Sequence, residues 1–136
     1  MKDLGHWTTE LEIPENPFGM IYVITNKTNN KKYIGKKQIL SKRKKPPLKG
    51  KTRKRIVIVE TDWKKYTSSS NNLNSDIQNQ GIENFTFQII RFCESKSEMA
   101  YFEAKEQFDR EVLLKDEYYN EIINLRLRKI SNNLKK

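Results

Sequence analysis

The chain has 136 residues, 35% of them hydrophobic, which suits one small domain with a modest core and argues against a second full one. It carries 27 Lys and Arg against 17 Asp and Glu, a net charge of +10, with a single cysteine and a single histidine. Those counts exclude an intramolecular disulfide and leave a His-cluster metal site or a serine triad almost nothing to be built from.

Residues 1–17 hold Trp7, Leu11 and Ile13 among polar residues and then Pro14 and Pro17, the pattern of an irregular N-terminal arm leaning on the domain. From Met20 to Thr25 the β-branched and aromatic residues predict a strand, Asn26 to Asn30 supply turn chemistry, and Lys31 to Lys37 predict a second strand around Tyr33 and Ile34. The two make a hairpin with Tyr22 and Tyr33 on paired strands. Gly35 closes the second strand, where the missing Cβ allows close approach by another chain or a ligand. Gln38 to Arg43 are expected to form a short helical piece that ends by Lys45, because Pro46 and Pro47 follow. Lys42 to Arg55 reads as a basic insertion, with Leu48 to Arg55 as its mobile loop, and Ile56 to Val59 as a small apolar patch of open secondary structure.

Between Lys31 and Arg55 stand thirteen basic residues and no acidic one. A solvated surface is the bland reading of such a run, but uncompensated charges this dense repel one another unless a polyanion neutralises them. Nucleic acid is the natural polyanion, since Lys and Arg release counterions from its phosphates on binding. The candidate contacts are Lys36, Lys37, Lys42, Lys44, Lys45, Lys49, Lys51, Arg53, Lys54 and Arg55. A membrane surface is the rival partner, but the run lacks the aromatic and leucine face of an interfacial helix. With no bilayer-length apolar run and no leader-like start, the chain is expected to be soluble and intracellular.

Beyond Asp62, the residues Trp63, Tyr66 and Thr67-Ser68-Ser69-Ser70 precede a polar helix with Leu73 and Ile77 on one face, ending at Gly81. Phe85, Phe87, Ile89 and Ile90 suit a central strand covered on both faces, and Cys93 at its end is expected to be a buried, inert thiol. Ser97 to Leu114 carries the strongest helix signal. Ser97 is its expected N-cap, Ala100, Phe102, Phe108 and Val112 its apolar contacts, and Glu98, Glu106 and Glu111 mostly solvated. Residues 125–136 read as a basic tail.

Taken together, Met20-Ile21-Tyr22, Tyr33-Ile34-Gly35, Arg43, Gly81, Asn84-Phe85, Glu103 and Tyr118-Tyr119-Asn120 stand in an order that resembles the GIY-YIG endonuclease family, from about Gly19 to Asn120. The second motif is intact, while the first departs from Gly-Ile-Tyr with Gly19 displaced by one position and its tyrosine kept. The likeness is closest to small phage-borne, homing-type members, which share the Pro-Pro-Leu-Lys-Gly insertion and the Asp-Trp segment. It implies an α/β (α+β) domain over residues 18–124, a small three-stranded antiparallel sheet flanked by helices, at work in the cytoplasm, that of the host cell if phage-encoded. It also implies a DNA endonuclease that uses one divalent ion, Mg²⁺ or Mn²⁺, and leaves 5′-phosphate and 3′-hydroxyl ends. Glu103 falls where such nucleases carry their metal-binding glutamate, Arg43 where an arginine follows on the next helix, and Asn120 where an asparagine organises the site.

The chemistry can be rebuilt from the residue types. Phosphodiester hydrolysis needs an in-line water, a group that manages its proton, and positive charge on the phosphorane and the leaving oxygen. Glu103 is the expected ligand, one carboxylate being a usual protein share for Mg²⁺. Arg43 is expected to clamp a phosphate oxygen with its planar fork. Tyr22 is the expected general base or water-orienting residue, with Tyr33 beside it and Lys36 and Lys37 as the cations that a phenol of pKa near 10 needs. The oligomeric state stays open, with a monomer favoured in solution. Two other classes stay open, a non-catalytic nucleic-acid-binding protein that keeps the fold and a basic RNA-binding structural protein.

Overall fold

The computed structural model describes residues 3–130. Five strands and two helices follow in the order β1 (Gly19–Asn26), β2 (Lys32–Gln38), β3 (Leu40–Lys45), β4 (Arg55–Glu60), α1 (Asn71–Gln80), β5 (Phe85–Cys93) and α2 (Lys96–Asp109). They make an antiparallel three-stranded sheet in the order β2-β1-β5 and a separate two-stranded sheet of β3 and β4. Residues 131–136 of the expected basic tail and the first two of the N-terminal arm lie outside the described residues.

β1 occupies the centre because its run from Met20 to Ile24 is apolar on both sides, and all five residues are buried. Side chains alternate across a strand. Met20, Tyr22 and Ile24 therefore join Trp7, Trp63, Leu73, Phe85, Phe87 and Ile89 on one face, while Ile21 and Val23 join Ile34, Cys93, Met99 and Val112 on the other. α2 covers the second face. The β1–β2 turn is set by asparagines: the Asn26 side chain accepts from the Thr28 amide at 2.9 Å, and Asn30 takes a positive φ of 60°.

β5 is an edge strand rather than the expected centre of the sheet, because Thr86, Gln88 and Arg91 interrupt its apolar run and face solvent. Its open side is partly closed by the N-terminal arm, where Thr8 bridges Gln88 in parallel and exchanges backbone hydrogen bonds with Phe87 and Ile89 at 2.8 Å. The arm is thus part of the core: Trp7 is 3% exposed, and its indole donates to the Trp63 carbonyl at 2.6 Å.

Several local expectations are corrected. Gln38 to Arg43 do not turn helical, since residues Leu40 to Lys45 find the β-branched stretch Ile56–Val59 as a partner and pair with it as a hairpin. The basic insertion is therefore a strand, a turn containing Gly50 at φ 84°, and the start of a second strand. α2 is capped by Ser95, whose hydroxyl accepts from the Glu98 amide, and not by Ser97. Glu98 is buried rather than solvated, its carboxylate accepting from the amide of Glu94, one residue before the cap, in a variant of the capping box. The helix ends at Asp109, short of Leu114, and Phe108 is exposed instead of packed. Cys93 is buried, and burial pushes its thiol up to about 12. Among the described residues no helix is long and apolar enough to cross a membrane.

Candidate active site

Tyr22 sits where β1 shifts register against β5, between Ile21 and Tyr22, an irregularity that re-aims a strand side chain. On its other side Tyr22 pairs directly with Gly35. A Cβ on Gly35 would stand 2.5 Å from the Tyr22 hydroxyl and 2.8 Å from the Tyr33 ring, so the close approach that this glycine permits is that of the two tyrosines themselves. Trp7 packs against Tyr22 at 4.9 Å between ring centres, and Tyr33 and Tyr66 lie at 6.2 and 6.3 Å.

Tyr22, Tyr33, Lys36, Tyr66, Ser69 and Glu103 line one cavity of about 290 Å³ together with Gln107, Ile122 and Asn124. Glu103 projects into it from α2, and Lys36 from β2 stands 3.5 Å from its carboxylate. Burial pushes the Glu103 carboxyl up from its ordinary 4.5, an effect that the Lys36 ammonium opposes. Burial likewise lifts the Tyr22 phenol well above 10, helped by Tyr33, Tyr66 and the Glu103 charge. Tyr33 is raised by burial too, with a hydrogen bond to Ser69 pulling the other way. Both phenols are therefore protonated at neutral pH.

The amides behind the cavity fix its walls. Asn120 accepts from the Ile34 amide at 3.0 Å and donates to the Ile34 carbonyl at 2.8 Å, while Gln107 donates to the same carbonyl at 3.1 Å. Both side chains are buried, so β2 is held next to Tyr33 and Gly35 by bonds that have no competition from water. Tyr119, beside Asn120, donates to Asp76 at 2.6 Å and accepts from Asn26 at 3.0 Å, tying α1 to the end of β1.

The structure brings Tyr22, Tyr33, Lys36, Glu103 and, one layer back, Gly35 and Asn120 together. It does not bring Arg43 to the cavity: Arg43 lies on β3, exposed and paired with Val57. Lys37 turns away from Glu103 onto the Tyr66 ring, 4.3 Å from its centre, and pairs with Asp62 at 2.9 Å. Lys42, Lys44 and Lys45 share β3 with Arg43, Lys49, Lys51, Arg53 and Lys54 fall in the hairpin turn, and Arg55 opens β4. Sequence reasoning missed Tyr66, Ser69 and Gln107. A signal for two of them was present in Tyr66 to Ser70, a run of hydroxyls ahead of α1 whose Ser70 caps that helix. Ser68 in that run is held at φ 94°, a strained setting for a residue with a Cβ.

Among the described residues no group of three or more His, Cys, Asp or Glu is placed to hold a metal. Glu103 is the one carboxylate lining the cavity, in company with the hydroxyls of Tyr22, Tyr33, Tyr66 and Ser69. Those oxygens suit a hard divalent cation, which keeps several waters of its own and would take the place of the Lys36 ammonium beside the Glu103 carboxylate.

A compact α+β domain thus sets a tyrosine on each of two paired antiparallel strands opposite a helix-borne glutamate across a small cavity. The family model described as "Putative endonuclease segE, GIY-YIG domain" matches residues 6–123, and the chain belongs to that family. No curated protein and no solved structure matches it.

Proposed function

We propose that this protein is a DNA endonuclease that hydrolyses phosphodiester bonds at the cavity between β1, β2 and α2. The observation that supports this most is convergence: Tyr22, Tyr33 and Glu103, far apart in sequence, line one small cavity with Lys36 3.5 Å from the glutamate. A packing role for the tyrosines needs no carboxylate or ammonium beside them.

Tyr22 and Tyr33 enter the reaction as protonated phenols, since burial holds both above their ordinary range. They orient rather than deprotonate: one phenol oxygen accepts a hydrogen bond from the attacking water and the other O–H donates to a non-bridging phosphate oxygen, while the water's proton leaves to solvent and the departing 3′ oxygen takes one up from it. Lys36 adds positive charge at the scissile phosphate, where charge develops in the transition state. Glu103 is the residue that would hold Mg²⁺ or Mn²⁺, which when bound supplies Lewis-acid charge for the phosphorane and the leaving 3′ oxygen. The products are then a 5′-phosphate and a 3′-hydroxyl. Arg43, on β3 and outside the cavity, takes no part in the reacting step.

The test is conversion of supercoiled plasmid with Mg²⁺ and with EDTA. Nicked circles are expected first, as a chain with one site cuts one strand per encounter, and linear product later. Tight DNA binding with no metal-dependent nicking would favour a non-catalytic binding protein instead.

A further inference from the structure

The β3–β4 hairpin stands apart from the core. Ile56 is 63% and Ile58 64% exposed. Residues directly opposite in an antiparallel ladder point to the same side, so Lys42 with Ile58 and Lys44 with Ile56 make one face of the ribbon. Arg43 with Val57 and Lys45 with Arg55 make the other. From Lys42 to Arg55 the chain has nine basic residues and no acidic one, and among the described residues none of the nine is in an ion pair.

The ribbon is anchored at its root. Thr61 donates its amide to the Ile39 carbonyl at 2.8 Å and its hydroxyl to the Gln38 carbonyl at 2.6 Å, and Asp62 pairs with Lys37. Both ends of the hairpin are thereby fixed to the end of β2, the strand that places Lys36 in the cavity. Whatever the ribbon grips is held beside the active site.

The chemistry of the exposed face narrows its occupant. Two isoleucines offer too little apolar area to hold a bilayer surface, and a second copy packed on this face would set Lys42 and Lys44 against their own kind. A polyanion meets the lysines, and an apolar edge within it meets the isoleucines. The major groove of B-DNA, about 12 Å wide, admits a two-stranded ribbon and displays thymine methyls, whereas the minor groove at about 6 Å is too narrow. The major groove of an RNA duplex is too narrow as well. We propose that the β3–β4 hairpin enters the major groove of duplex DNA, with Ile56 and Ile58 against base edges and thymine methyls, and Lys42 and Lys44 of the same face together with the basic side chains between the strands on the flanking phosphates. In taking DNA as the partner, the proposal rests on the nuclease reading.

The experiment measures binding of the full chain carrying Glu103→Gln, so that the duplex stays uncut, to a labelled DNA duplex. Methyl green, a major-groove ligand, is expected to release the protein and distamycin, a minor-groove ligand, is not. Replacing thymine by uracil throughout should weaken binding by about fourfold for each methyl in contact. Adding Ile56→Ser and Ile58→Ser should make the two duplexes bind alike, with the circular dichroism spectrum unchanged. Equal affinity of the Glu103→Gln protein for thymine and uracil duplexes, release by distamycin, or equal affinity for an RNA duplex would each overturn the proposal. So would a dimer, or binding to anionic vesicles, that the two serines abolish. Wild-type plasmid nicking is followed in parallel: nicking without a thymine preference removes the ribbon assignment alone, and a thymine preference without nicking removes the nuclease reading alone.

Discussion

The two sheets of this protein use the same backbone ladder to opposite ends. In β2-β1-β5 the central strand is buried on both faces, a tryptophan from the arm and a helix close over it, and the tyrosines are held by aromatic neighbours. In β3-β4 the strands have one partner each, the basic residues are uncompensated, and isoleucines face solvent. A packed sheet fixes reacting groups to the tolerance that chemistry needs, while a bare ribbon keeps its side chains for a partner. Substitutions in the first should therefore cost stability or rate, and substitutions in the second should cost binding.

The largest effect is expected at Glu103. Its replacement by Ala should lower metal-dependent nicking by about 10²–10³-fold, the scale seen when a group stabilising transition-state charge is removed, with DNA binding nearly unchanged. Plasmid nicking at the wild-type rate would take Glu103 out of the site. Next comes Trp7→Ala, which empties a pocket between Tyr22, Phe87 and Trp63. A loss of about 3–5 kcal/mol in urea unfolding is expected for a buried tryptophan. A shift of a few tenths would show that the arm is a loose appendage and break the contrast.

The pH profile sharpens it further. Glu103 must be ionised to hold a cation, and its carboxyl is raised above 4.5 by burial against the pull of Lys36. The acid limb of nicking should therefore lie above pH 4.5, and Lys36→Met should move it to still higher pH, because the opposing cation is gone. An unmoved limb would separate Lys36 from Glu103. The linkage has a definite sign: an acid whose pKa rises on folding binds its proton more tightly in the folded state. Stability then falls as pH climbs from the unfolded value through the folded one. Glu103→Gln removes that penalty, so its Tm at pH 8 should exceed the wild-type Tm, as is usual when a site trades stability for function.

The smallest effect should be on the ribbon. Arg43→Ala and Ile58→Ser should each change unfolding free energy by no more than about 0.5 kcal/mol, as exposed positions do. A cost of several kcal/mol in urea unfolding would mean that the hairpin belongs to the core.

Where residues pair with near neighbours, the sequence was enough. The β1–β2 hairpin, its asparagine turn, α1 from its serines to Gly81 and the strand character of Phe85 to Cys93 follow from turn chemistry and apolar pattern within short windows. The motif tyrosines, Glu103 and Asn120 were visible as a spaced set, and the α+β class with them. What depended on distant partners was not. Leu40 to Lys45 became a strand because Ile56–Val59 lay across a turn to pair with it, and Arg43 went with it, away from the cavity. β5 was displaced to the edge because β1 is the more continuously apolar strand, Glu98 was buried by the cap it closes, and Tyr66 and Ser69 reached the site through the path of the chain between sheets. Local pattern reports what a residue prefers beside its neighbours, and a strand or a site exists only when a remote segment completes its hydrogen bonds or its wall.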